Sequence, residues 1–115
     1  MKLLIAGSRS IESFDLAKYI PPQTELIISG GARGIDTVAE RYADAHRISK
    51  LILHPQYSLY GRAAPIKRNE CMVDLSDAVL VIWDGISKGT KHTIAYAEKC
   101  RKNVTVITVD PSVEV

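Results

Sequence analysis

Several things are scarce in this sequence, and each absence excludes something. Cysteine occurs twice, as Cys71 and Cys100, far apart and without a C-x-x-C spacing. That excludes a disulfide framework and fits two free thiols in a reducing compartment. The three histidines, His46, His54 and His92, share no ligand spacing with one another or with the cysteines, so no metal site is expected. No apolar run approaches the roughly 20 residues that span a bilayer, so no membrane partner is expected. The run Leu3 to Ala6 near the N-terminus is too short for a signal peptide, and no A-x-A site follows it. The expected location is cytoplasmic. The net charge of +2 is too small by itself to announce a nucleic-acid partner. Neither a Walker A loop nor a G-x-G-x-x-G turn occurs, and no cofactor is expected.

What is present is a regular alternation. Short runs rich in Ile, Leu and Val occur at 3–6, 26–28, 51–53, 79–82 and 104–109. They do not alternate with polar residues, a pattern of strands buried on both faces. Between them lie amphipathic segments. Ile35, Val38, Ala39, Tyr42, Ala43 and His46 fall on one helical stripe. Segments 11–20, 65–75 and 90–101 are read as the other helices, with Pro65 in a first turn and Asp or Ser capping the other starts. The order β-α-β-α-β-α-β-α-β predicts one domain over 1–115, a doubly wound α/β fold. Its five parallel strands are expected in the order 3-2-1-4-5, with helices on both faces. In such sheets ligands bind beyond the carboxyl ends of the strands, at the switch point.

All seven glycines are read into strand-to-helix loops: Gly7, Gly30, Gly31, Gly34, Gly61, Gly85 and Gly89. Glycine permits positive φ and close backbone approach, and helix N-termini favour phosphate. The loops 7–11, 29–36, 54–70 and 83–91 hold seven basic residues against three acidic ones, whereas the rest of the chain is slightly acidic. A cleft of one sign concentrates an anionic ligand.

Within those loops, SGGARGID (29–36) offers a sharp turn and the forked cation of Arg33. Asp36 there either touches a ribose hydroxyl or a water, or stabilises the helix start. GSRS (7–10) places Ser8 and Arg9 to donate to a phosphate, with Ser10 as a cap. The long stretch from His54 to Ala64 carries Tyr57, Tyr60 and Arg62, whose tyrosines either stack on a base or pack the loop itself. Lys67, Arg68 and Asn69 open the third helix; Asn69 either satisfies a backbone group or reads the ligand. DGISKGT (84–90) sets Gly85, Gly89 and the Thr90 hydroxyl at the start of the fourth helix. Trp83 is read as core and His92 as helix surface.

Taken together, GSR (7–9), SGGARGID (29–36), YGRAAPIKRN (60–69), LSDAVLVIWDG (75–85) and KGTKHTIAYA (88–97) resemble the SLOG superfamily, most closely its YspA-like branch. The resemblance runs nearly end to end. It implies a Rossmann-like fold that senses or processes a nucleotide-derived ligand. Two relatives pull in different directions. DNA-processing protein A has a similar S-G-x-A-R-G-I-D turn, R-N helix start and L-S-D-A-V-L-V strand, which implies single-stranded nucleic acid as an alternative partner. Lonely Guy phosphoribohydrolases carry P-G-G-x-G-T-x-x-E at the fourth loop. Here Gly89-Thr90 is kept, but Thr93 stands where their glutamate does. That leaves the enzyme question open, with Asp36 and Asp84 as the candidate catalytic carboxylates. The readings carried forward are nucleotide binding with hydrolytic processing left open, single-strand binding, and a non-catalytic interaction protein. A homodimer is expected because relatives self-associate.

Overall fold

The computed structural model describes residues 1–110. Five strands form one all-parallel sheet: β1 (Lys2–Gly7), β2 (Leu26–Ser29), β3 (Ser49–Ile52), β4 (Ala78–Trp83) and β5 (Asn103–Thr108). Their order is β3-β2-β1-β4-β5, as expected, and the architecture is Rossmann-like. Four α-helical segments connect them: α1 (Ile35–Ala45), α2 (Tyr57–Tyr60), α3 (Ala64–Leu75) and α4 (Lys88–Lys99).

Side chains alternate across each strand, so the sheet has two apolar faces. Leu3, Ile5, Ile27, Leu80 and Ile82 pack against Ile35, Ala39 and Ala43 of α1. Leu4, Ala6, Ile28, Val79 and Val81 pack against Met72 and Val73 of α3 and Ala97 of α4. Each fully buried Ile, Leu or Val contributes about 1.5–3 kcal/mol. The three central strands carry nearly all of these residues, so the sheet is firmest where its strand order reverses, between β1 and β4.

Four expectations need correction. Segment 11–20 is not an α-helix; only a 3-10 turn forms, at Ala17–Tyr19. Its buried residues Ile11 and Leu16 stand five apart, off a common helical stripe, and Pro21 follows at once. The Asp15 carboxylate accepts the Ala17 N–H at 3.0 Å and fixes the turn locally. Next, β3 and β5 are edge strands, largely exposed, not strands buried on both faces. Nor do all seven glycines lie in strand-to-helix loops: Gly7 ends β1, Gly61 opens a 3-10 turn between α2 and α3, and Gly89 is the second residue of α4. Pro65 does sit in the first turn of α3. The expected side-chain caps do not form: Gly34 precedes α1, and Ser87 precedes α4 without capping it.

Candidate functional site

The chain leaves β1 at Gly7, and the next residue ties three elements together. The buried Ser8 receives the Ile35 N–H on its carbonyl at 3.3 Å. Its own N–H donates to the Ile82 carbonyl at 3.1 Å. Its hydroxyl accepts the Asp84 N–H at 2.9 Å and lies 3.2 Å from Ser87 Oγ. Ser8 therefore locks the β1, β4 and α1 ends in register and does not line the cleft they form. Gly34 makes this possible. Its φ is 77°, and a Cβ there would stand 2.5 Å from the Ser8 carbonyl oxygen.

Above this knot, at the switch point between β1 and β4, opens a cleft of about 690 Å³. That is within the usual range for small-molecule sites. Arg9, Arg33 and Arg68 all line it, together with Asp36, Asp84 and Thr90. Of the other residues singled out in the sequence, Gly7, Asn69 and Gly89 line it as well. Gly30, Gly31, Gly34 and Gly85 do not; a side chain at Gly30, Gly31 or Gly34 would crowd its neighbours, and Gly85 holds a φ of 82°. Tyr60 and Arg62 stand apart: Tyr60 lines a second cavity, and Arg62 lies exposed in the turn between α2 and α3. The reason is local. The stretch 54–64, read as one long loop, curls into α2 and a 3-10 turn, which carries both side chains away from β1 and β4.

The three guanidinium groups are held differently. Arg68 Nη1 donates to the carbonyls of Gly30 and Leu53, and Nε donates to Asn69 Oδ1 at 2.8 Å. It thus pins the carboxyl ends of β2 and β3 to α3. Asn69 is engaged by this bond and orients Arg68. Burial lowers the Arg68 pKa, and the nearby Asp36 charge opposes that. Among the described residues, the side chains of Arg9 and Arg33 have no hydrogen-bond or ion-pair partner. Nor do the Thr90 hydroxyl and the N–H groups of Lys88, Gly89 and Thr90. Those N–H groups are the unsatisfied donors of the first turn of α4, at the positive end of its dipole.

The two candidate carboxylates differ sharply. Asp36, in the first turn of α1, is buried. Burial pushes its pKa up to about 6, with the Ala32 N–H and the Arg68 charge opposing. One oxygen accepts the Ala32 N–H at 3.1 Å. Asp84 is held far below the usual carboxylate range by hydrogen bonds, chiefly from the Ser87 and Ile86 N–H groups, each at 2.8 Å. Ser10 Oγ and Ser87 Oγ donate to it as well. Asp84 is thus a clamp that stays ionised well below neutral pH and shapes the turn before α4, and Asp36 is the cleft carboxylate that can exchange a proton near pH 6.

Sequence reading missed Ser87, Glu12 and Met72, which also line the cleft. Ser87 had a signal, since it stands directly before a helix start. Thr93 lines the cleft but donates its hydroxyl to the Gly89 carbonyl at 3.1 Å. Among the described residues no cluster of three or more His, Cys, Asp or Glu could hold a metal ion, and no helix is long and apolar enough to cross a membrane.

The comparisons with known proteins bear on family alone. Over 84 residues the sequence is 32% identical to the Gene 61 protein of Mycobacterium phage D29, a match covering 68% of this chain and 67% of that protein. The chain belongs to that protein's family. No family model matches it, and no solved structure matches it. The relative's name states no ligand or reaction, so function has to be argued from the cleft.

Proposed function

We propose that the cleft binds a phosphate-bearing, nucleotide-like ligand, as the resemblance to the SLOG superfamily implies. The observation that carries this reading is the convergence of two unpartnered guanidinium groups, Arg9 and Arg33, with Thr90 on one cleft at the switch point. Leaving two cations, a hydroxyl and a helix start without partners favours an incoming anion. Arg68 lends charge but not free donors at Nε and Nη1, since those already hold the cleft wall. In this reading Asp36 meets the sugar, the base or a water, and is the group able to move a proton in any hydrolytic step. Asp84 takes no part in chemistry and shapes the turn before α4.

A thermal-shift titration with nucleoside 5′-monophosphates tests this. Saturable stabilisation is expected, amounting to about 2.7 kcal/mol at a hundredfold excess over Kd. The matching nucleosides should give little. Arg33→Ala should weaken binding about tenfold or more, the loss typical of a charge-assisted contact. No shift at millimolar nucleotide, or an unchanged Kd in Arg33→Ala, overturns the reading. Stabilisation by a single-stranded oligonucleotide alone, steeply weakened by salt, would replace it with nucleic-acid binding.

A further inference from the structure

The second cavity, about 530 Å³, shares Arg68 with the cleft and is otherwise lined by different residues. Leu53, Leu59 and Tyr60 give it an apolar wall. The charged groups around it divide by sign. Both acids are engaged: Glu70 meets the His92 ring at 2.9 Å, and Asp74 accepts the Tyr96 hydroxyl at 2.8 Å. The cations are not. Among the described residues Lys67 has no hydrogen-bond or ion-pair partner, and neither has Nη2 of Arg68. The His54 ring nitrogens are free as well. That ring seats against the turn after β2, where a Cβ at Gly31 would stand 2.8 Å from its Cε1. An apolar wall, satisfied acids and unsatisfied donors together fit an apolar body that carries a negative group.

We infer that this cavity binds a small, flat, apolar carboxylic acid in its ionised form. The body lies on Leu53, Leu59 and Tyr60, and the carboxylate meets Lys67 with the Arg68 charge behind it. Flatness follows from Tyr60, which is 49% exposed and stacks on no other ring among the described residues. A free aromatic face of this kind pairs well with a second ring. A single charge follows from the acids. Glu70 and Asp74 stand in the same wall, and they repel a monoanion about half as strongly as a dianionic phosphate. The ligand therefore differs in class from the phosphate-bearing one proposed for the cleft, and its site is independent of that reading.

Backbone amide NMR of the full chain, titrated with cinnamate, tests this. Saturable shifts are expected at residues 53–60 and 67–74, with half-saturation at about 1 mM, ordinary for a ligand of this size. The amides of Arg33 and Thr90 should not move. The neutral cinnamamide and the dianionic phenyl phosphate should each bind about fivefold more weakly at these residues. Lys67→Met should weaken cinnamate about fivefold and leave cinnamamide unchanged, whereas Leu59→Ser should weaken both about threefold. Both side chains are exposed, so neither substitution threatens the fold. No saturation by about 10 mM overturns the inference, as do shifts centred on Arg33 and Thr90. So does equal binding of acid and amide, or a Lys67→Met variant that binds cinnamate as the parent does.

Discussion

The turns that follow β2 and β4 present the same residue type to the same cleft and treat it in opposite ways. After β2, Asp36 is drawn into the protein with one backbone donor, and its pKa rises to about 6. After β4, Asp84 stands at the rim and gathers four donor groups, and its pKa falls. One turn holds a carboxyl that titrates near pH 6; the other holds a negative charge that organises backbone. Burial without enough donors raises a carboxylate, and donors without burial lower it. Neither outcome is legible from the letter D.

The largest way to break this contrast is through the backbone that supports the first turn. Gly34→Ala places a Cβ 2.6 Å from the Arg9 Cα and keeps an L-residue at φ 77°. It should destabilise the fold by about 3–4 kcal/mol in urea denaturation, undoing both the Ser8 knot and the Asp36 environment.

Asp36→Asn sharpens the contrast with the opposite sign. A carboxyl whose folded pKa is raised from 3.8 to about 6 holds its proton better folded than unfolded. Its favourable contribution is complete below pH 4 and is lost as the pH rises through 6. The asparagine variant, which keeps an acceptor for the Ala32 N–H, should therefore be more stable than the parent at pH 8. The gain is about 3 kcal/mol at most, from about 1.4 kcal/mol per pKa unit, and it should vanish at pH 4. Melting temperatures across that range check it. A parent protein whose stability does not fall between pH 4 and 6 would place Asp36 in a solvated setting.

Asp84→Ala has the smallest expected effect, about 1–2 kcal/mol at pH 7, from orphaned N–H donors at a half-exposed turn. Its pH dependence runs the other way. A depressed carboxylate stabilises above pH 4 and stops doing so as acid protonates it. The variant and the parent should therefore converge in acid.

Much of the fold was legible because periodicity and β-branched runs report burial directly. Ile27, Ile28 and Val79 to Ile82 read as central strands and are. The runs at β3 and β5 read the same way, yet Leu51 and Val106 are exposed, because an apolar run does not reveal whether a second strand or helix lies beside it. The helix at 11–20 failed for a related reason: Ile11, Phe14 and Leu16 are apolar enough, but tertiary contacts rather than periodicity hold them. At the site, Arg9 and Arg33 were legible because both follow strand ends, and Arg68 because it lies in the first turns of a helix that starts at the same end of the sheet. What spacing could not show is that carbonyls engage Arg68 and that Ser8 turns inward. Tyr60 and Arg62 were misplaced because four residues of helix at Tyr57–Tyr60 change the direction of the chain.

The place of β1 in the sheet has a consequence for synthesis. It is made before the other four strands of the sheet, and it ends up in the middle. Its Ile5 must wait beside an open edge until Leu80, its partner in β4, has been translated. Closing so long a loop is slow relative to local contacts. A nascent chain thus carries the sticky run Leu3 to Ala6 unprotected on one side until β4 is made, and a stalled or truncated product that ends before β4 is the form most prone to aggregate.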